Sequence, residues 1–202
     1  MSFHPKAQGV TTLAIWLSRV FHPFVSSTLV MFLAQHSSGT GLQAALSWTG
    51  LIIAILIFPV LTFVLLRVRL GRYEDIDVSV REDRYALYAL AGVCFILLIA
   101  LLGFLEAPSI VQGTLQAALF AFAIAAILNR FVGKVSLHML ALGGCAAVLS
   151  SVSAPVGAIV VFLGLPVGWS RLYLKRHTLF EILLGWLIGL VGFSVWLLIV
   201  RS

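Results

Sequence analysis

Long apolar runs separated by short polar stretches dominate the chain, and their lengths predict helices that cross a membrane. The first run covers about residues 23–34. Ahead of it, residues 10–20 put Leu13, Trp16, Leu17 and Val20 on one helical face and Thr12 and Ser18 elsewhere, so this segment reads either as a backward extension of the span or as an interfacial helix. The second run covers about 44–66 and contains Pro59, the third about 85–105, and the fourth about 114–128. Residues 137–169 are apolar for about twice the length of a short span, interrupted by "SSVSAP". They predict a helical hairpin broken at Pro155. A last run covers about 179–200. The expected fold is all-α, a single polytopic helical bundle of about six to seven transmembrane spans over residues 1–202. Residues 1–22 form an N-terminal or interfacial segment, and polar stretches occupy 68–84, 129–138 and 170–181.

Composition agrees with this pattern and excludes much else. Of the 202 residues 61% are hydrophobic and 10% charged, too few charges to clothe a soluble domain. The net charge of +6 reads as topological, so nucleic acid is not an expected partner and the bilayer is. Cys94 and Cys145 lie inside apolar runs without metal-ligand spacing. No small-residue cleavage site follows the first apolar stretch, so no removable signal peptide is expected. If the spans alternate as above, Lys6, Arg19, Arg67, Arg69, Arg72, Arg81, Arg84, Arg130, Lys134, Arg171, Lys175 and Arg176 share one side and Arg201 alone is on the other. The positive-inside rule makes the crowded side cytoplasmic, in a multi-pass protein of the cell (inner) membrane.

Three polar stretches on that side carry candidate chemistry: Arg84, with Arg81 a turn earlier; Lys134, Ser136 and His138; and Arg171, His177 and Glu181. Ionisable residues at a membrane boundary are costly and tend to be functional. Guanidinium forks match phosphate oxygens, and a neutral histidine backed by a carboxylate is a nucleophile in waiting, so the set reads as an anion site with two histidines. Taken alone, each histidine could equally be an interfacial side chain.

"SRLYLKRHTLFE" has Ser-Arg, five residues, His, three residues and an acid, and resembles the third signature of the type 2 phosphatidic acid phosphatase family, membrane lipid phosphatases related to vanadium-dependent haloperoxidases. "KVSLH" is similar to that family's second signature, Pro-Ser-Gly-His. "DVSVREDRY" resembles its first, Lys, six residues, Arg-Pro. The resemblance covers roughly residue 75 to the C-terminus. It implies that His177 is the nucleophile that becomes a phosphohistidine, oriented by Glu181. It implies further that His138 protonates the leaving alcohol, that Arg84, Arg171 and Ser136 hold the phosphate, and that no metal or other cofactor takes part. The implied substrate is a phosphorylated lipid or prenyl phosphate. Asp77 stands where the family has its lysine, Tyr85 replaces the proline, Leu137 the glycine, and Glu181 the aspartate. Arg81 or Lys134 could restore the lost charge, and Arg81 is the preferred expectation. A phosphotransferase using an acceptor alcohol, and a non-catalytic subunit or lipid-phosphate-binding relative, are the alternatives. The sequence leaves oligomer formation open.

Overall fold

The computed structural model describes residues 5–201; the side chains of Lys6 and Arg201, counted in the charge asymmetry, lie outside the described residues. Ten α-helices and two π-helical turns follow in order among them: α1 Pro5–Val20, α2 Pro23–Ser37, α3 Leu42–Ile52, a π turn Ile53–Ile57, α4 Phe58–Arg69, α5 Arg84–Phe104, α6 Ser109–Phe131, α7 Leu137–Ser150, α8 Ala154–Tyr173, α9 Leu179–Leu187, a second π turn Ile188–Gly192, and α10 Phe193–Arg201. The all-helical class matches the apolar pattern. Five continuous helices are long and apolar enough to cross a membrane, and the pair α1 and α2, bent by 48° at His22-Pro23, makes a sixth if it counts as one span.

The hairpin forms with its break at Ser151–Ser153 and Pro155 in the first turn of α8, where its missing N–H costs nothing. Its first arm falls short of a span. At 14 residues α7 is about 21 Å long, well under roughly 30 Å of hydrocarbon. Sequence pattern alone cannot tell such a helix from a lipid-facing one, because both are apolar all round. Here α7 is buried along nearly its whole length and packs against α2, α6, α8, α9 and the second π turn. It is the post around which the bundle stands.

Glycine sets how closely α9 approaches that post. A Cβ on Gly189 would lie 2.2 Å from the Leu140 carbonyl oxygen, and one on Gly185 would lie 2.5 Å from that of Ser136. Backbone therefore packs against backbone, as small residues allow between membrane helices. The contact locks the start of α9 to the start of α7, where the Ser136 N–H donates to the Glu181 carbonyl at 3.2 Å.

The N-terminal helix inverts the usual amphipathic arrangement. Leu13, Trp16 and Val20 point outward, while Ala14 and Ser18 are buried. Ser18 meets Ser170 of α8 at 3.1 Å between their Oγ atoms. An apolar face turned outward and a small, polar seam turned to α8 is the division compatible with a membrane-embedded helix.

Candidate functional site

The three polar stretches meet at one end of the bundle, and each is shaped by its own local chemistry. After α8 the chain closes in a Schellman turn: Arg176 N–H donates to the Arg171 carbonyl at 3.0 Å and Lys175 N–H to that of Leu172 at 2.9 Å. Lys175 takes the left-handed position of that turn, φ 54°, usually glycine's. The reversal brings His177 back over Arg171. Thr178 then caps α9 in a reciprocal box with Glu181, whose Oε2 accepts from Thr178 N–H at 3.2 Å.

The same Oε2 lies 2.8 Å from His177 Nδ1. A carboxylate can only accept, so Nδ1 carries the hydrogen and Nε2 keeps its lone pair. Burial, then the charges of Arg84, Arg171 and Lys134, push the imidazole down to about 2, so it is neutral at ordinary pH. His138, at the first turn of α7, is buried, with Nε2 3.1 Å from the Ser18 carbonyl. By the same logic Nε2 is the protonated nitrogen, and Nδ1 is the atom left to exchange a proton.

Arg171 is 1% exposed. Its Nη1 donates to Ser18 Oγ at 3.0 Å, its Nη2 to Asp77 Oδ2 at 2.9 Å, and its Nε has no partner in the protein. Ser136 Oγ is buried and also unpartnered. Unsatisfied buried donors are rare and call for an explanation. Arg84 is equally buried, but its Nε donates to the Val78 carbonyl at 2.8 Å and its Nη1 to that of Val135 at 2.7 Å. It ties the first polar stretch to the second and brings its charge to bear on His177. Lys134 Nζ lies 3.1 Å from the Ser79 carbonyl and 3.4 Å from that of Arg176.

The expectation that Arg81 replaces the missing lysine is not met. Its Nε donates to the Asn129 carbonyl at 2.6 Å and its Nη2 to the Arg130 carbonyl at 2.9 Å, while Asn129 Nδ2 reaches back to the Arg81 carbonyl at 3.3 Å. The last carbonyls of α6 have no partner inside the helix, and a guanidinium a short loop away satisfies two of them. Of the two candidate substitutes, Lys134 is the one whose charge reaches His177.

Two residues outside the expected catalytic and phosphate-binding set belong to the site, His22, which pattern reasoning passed over, and Asp77, noted above only as the departure at the lysine position. His22, at the bend between α1 and α2, stacks edge-on to His138 with ring centroids 5.3 Å apart. Asp77 sits on Arg171, with its Oδ1 4.0 Å from His22 Nε2. Burial acts to raise the Asp77 carboxyl, but the His138 and Arg171 charges outweigh it and hold it below the usual carboxylate range. Ligand atoms of His22, Asp77 and His138 lie within 4.8 Å of one another, a set able to hold a metal ion by composition. The guanidinium already on Asp77, and a His22 Nδ1 that caps α2 by accepting from Phe24 N–H at 3.4 Å, fit a cation there poorly.

Comparison of the chain with family models, with curated proteins and with solved structures found no match.

An apolar cavity of about 200 Å³ begins at His22, Asp77 and His138 and runs between α2, α3, α4, α5, α6 and α7 as far as Val148. From Leu137 to Val148 the cavity follows α7 for roughly 16 Å. The site therefore has a charged head and an apolar tail.

Proposed function

We propose that the protein is a membrane phosphatase that hydrolyses a phosphate monoester or the terminal phosphate of a diphosphate on a lipid or isoprenoid through a phosphohistidine. The observation that carries this reading is the neutral, Glu181-oriented His177 beside the buried, unpartnered Nε of Arg171 and Oγ of Ser136. A transferring phosphoryl group spreads charge over its equatorial oxygens, and catalysis consists largely of holding that charge and aligning the nucleophile. Arg171, Lys134, Ser136 Oγ and the N-terminus of α7 supply charge and donors, and Arg84 adds its buried charge.

His177 Nε2 attacks phosphorus as the bond to the lipid oxygen breaks. A monoprotonated substrate phosphate passes its proton to His138 Nδ1 on binding, and His138 gives that proton to the leaving oxygen. Water then attacks the phosphohistidine, its proton passes to His138, and inorganic phosphate leaves. Glu181 supports the imidazolium character that develops on His177. No step requires a metal.

The cavity supports a lipid tail. Along α7 it runs for roughly 16 Å, a length that suits the apolar tail of a phosphorylated lipid or isoprenoid. The charge asymmetry favours a cytoplasmic site in the cell membrane.

The Arg171–Asp77 ion pair favours a second reading, a relative that binds lipid phosphate without turning it over. Phosphate release by the detergent-solubilised protein from phosphatidic acid, phosphatidylglycerol phosphate, and prenyl phosphates and diphosphates, with EDTA present, separates the two. Turnover supports the phosphatase, and its absence with retained binding supports the relative. Turnover only when an acceptor alcohol is added would make the protein a transferase.

A further inference from the structure

Asp77 is held on Arg171 by more than the pair itself. Its backbone N–H donates to the Asp75 carboxylate at 2.9 Å, and Asp75 is itself ion-paired to Arg176. The next residue, Val78, has φ 49°, an outlier for a β-branched side chain. It persists because its side chain is buried beside Val60, Val64 and Leu87 and its carbonyl accepts from Arg84. Strain of this kind survives where the surroundings over-determine it, and it gathers at functional sites. Its effect here is to bury Val78 while turning Asp77 toward the anion site.

A buried guanidinium without a counter-ion is strongly unfavourable. A carboxylate offers it the same paired oxygens as a phosphate. With the site empty, Asp77 meets that need. With a phosphate on Arg171, the two anions would compete for one fork, and the Asp77 Oδ2 position is the one a phosphate oxygen would take.

Resting on the phosphatase reading above, we propose that Asp77 is a specificity residue, the resting counter-ion of Arg171 that a substrate must displace. A phosphate monoester, or the terminal phosphate of a diphosphate, carries about −1.5 to −2 charge at pH 7 and displaces a carboxylate. A phosphodiester, with a single charge, does not. The bilayer around this site is made largely of phosphodiester headgroups, so an internal anion keeps them off the clamp while admitting monoesters. The displaced carboxylate rotates toward His22, 4.0 Å away at rest.

The test is isothermal titration of the whole detergent-solubilised protein at pH 8 with inorganic phosphate, largely a dianion there, and, separately, with a short-chain phosphatidylglycerol. Wild type is compared with Asp77→Asn and with Asp77→Ser, the second guarding against an amide that retains the Arg171 bond. Wild type should bind phosphate and show no saturable binding of the phosphodiester. Both variants should bind phosphate at least tenfold more tightly and bind the phosphodiester measurably. If wild type binds phosphate and neither variant binds it more tightly, Asp77 is not a competitor and the proposal falls, while the phosphatase reading stands. If no form binds phosphate, both fall.

Discussion

Glu181 has two jobs on one oxygen, and a single substitution separates them. Its Oε2 accepts from Thr178 N–H to cap α9 and from His177 Nδ1, a bond that in the proposed reaction orients the nucleophile. Glu181→Gln keeps an oxygen for the cap, since glutamine serves at this position of a capping box, but removes the charge that supports His177 as it becomes cationic. A hydrogen bond to a charged group contributes about 1.5–3 kcal/mol, which at 1.36 kcal/mol per decade is a loss in kcat of roughly 10- to 150-fold. Thermal stability should change little. Glu181→Ala should show at least the same loss in kcat and, without the cap, a further destabilisation of about 1 kcal/mol. The assay is phosphate release from the best substrate of the panel, beside thermal unfolding in detergent. Full activity in Glu181→Gln would refute the orienting role. Equal loss of stability in both variants would refute the separation of cap from catalysis.

Other consequences follow from the same geometry. In Gly189→Ala the new methyl meets backbone of α7 that cannot rotate away, so the second π turn must shift; unfolding in detergent should show a loss of about 1–3 kcal/mol. His177 takes up its proton only near pH 2 when folded but near 6.5 when unfolded, so as pH falls through 6.5 the unfolded state gains protons that the native state refuses. Stability is lost on that acid side. At pH 5 the penalty is roughly 2 kcal/mol, and His177→Gln should be stabilised relative to wild type by about that much between pH 7.5 and pH 5. Arg81→Ala should lower stability by about 1 kcal/mol through the end of α6 while leaving kcat near wild type, whereas Lys134→Ala should lower kcat/KM. The reverse pattern would return Arg81 to the site.

How much of this was legible in the sequence differs from residue to residue. The helical class and most break points follow from the lengths of apolar runs, because hydrocarbon leaves the backbone no alternative to helix. The His177–Glu181 pair follows from i, i+4 spacing on a helix capped at Thr178. The depth of α7 does not follow, since apolar periodicity cannot say whether neighbours or lipid surround a helix; only Gly143-Gly144, with Gly185 and Gly189 in the last apolar run, hinted at close packing. Ser18 comes to the site through the packing of α1 on α8, a contact over 150 residues apart in the chain, and His22 through the packing of α2 on α7. The hint was local: Ser18 stood off the apolar face. Arg81 misled because a cation one turn from Arg84 is equally well placed to satisfy the end of α6, and the unpaired carbonyls there take it.

The most direct test of the account is chemical trapping. After brief reaction with a prenyl diphosphate labelled in its terminal phosphate and an alkaline quench, wild type should carry covalent label that is stable to base and lost in acid, as a phosphoramidate is, and His177→Ala should carry none. Label persisting in His177→Ala, or turnover in that variant at the wild-type rate, would contradict the central claim that His177 is the nucleophile.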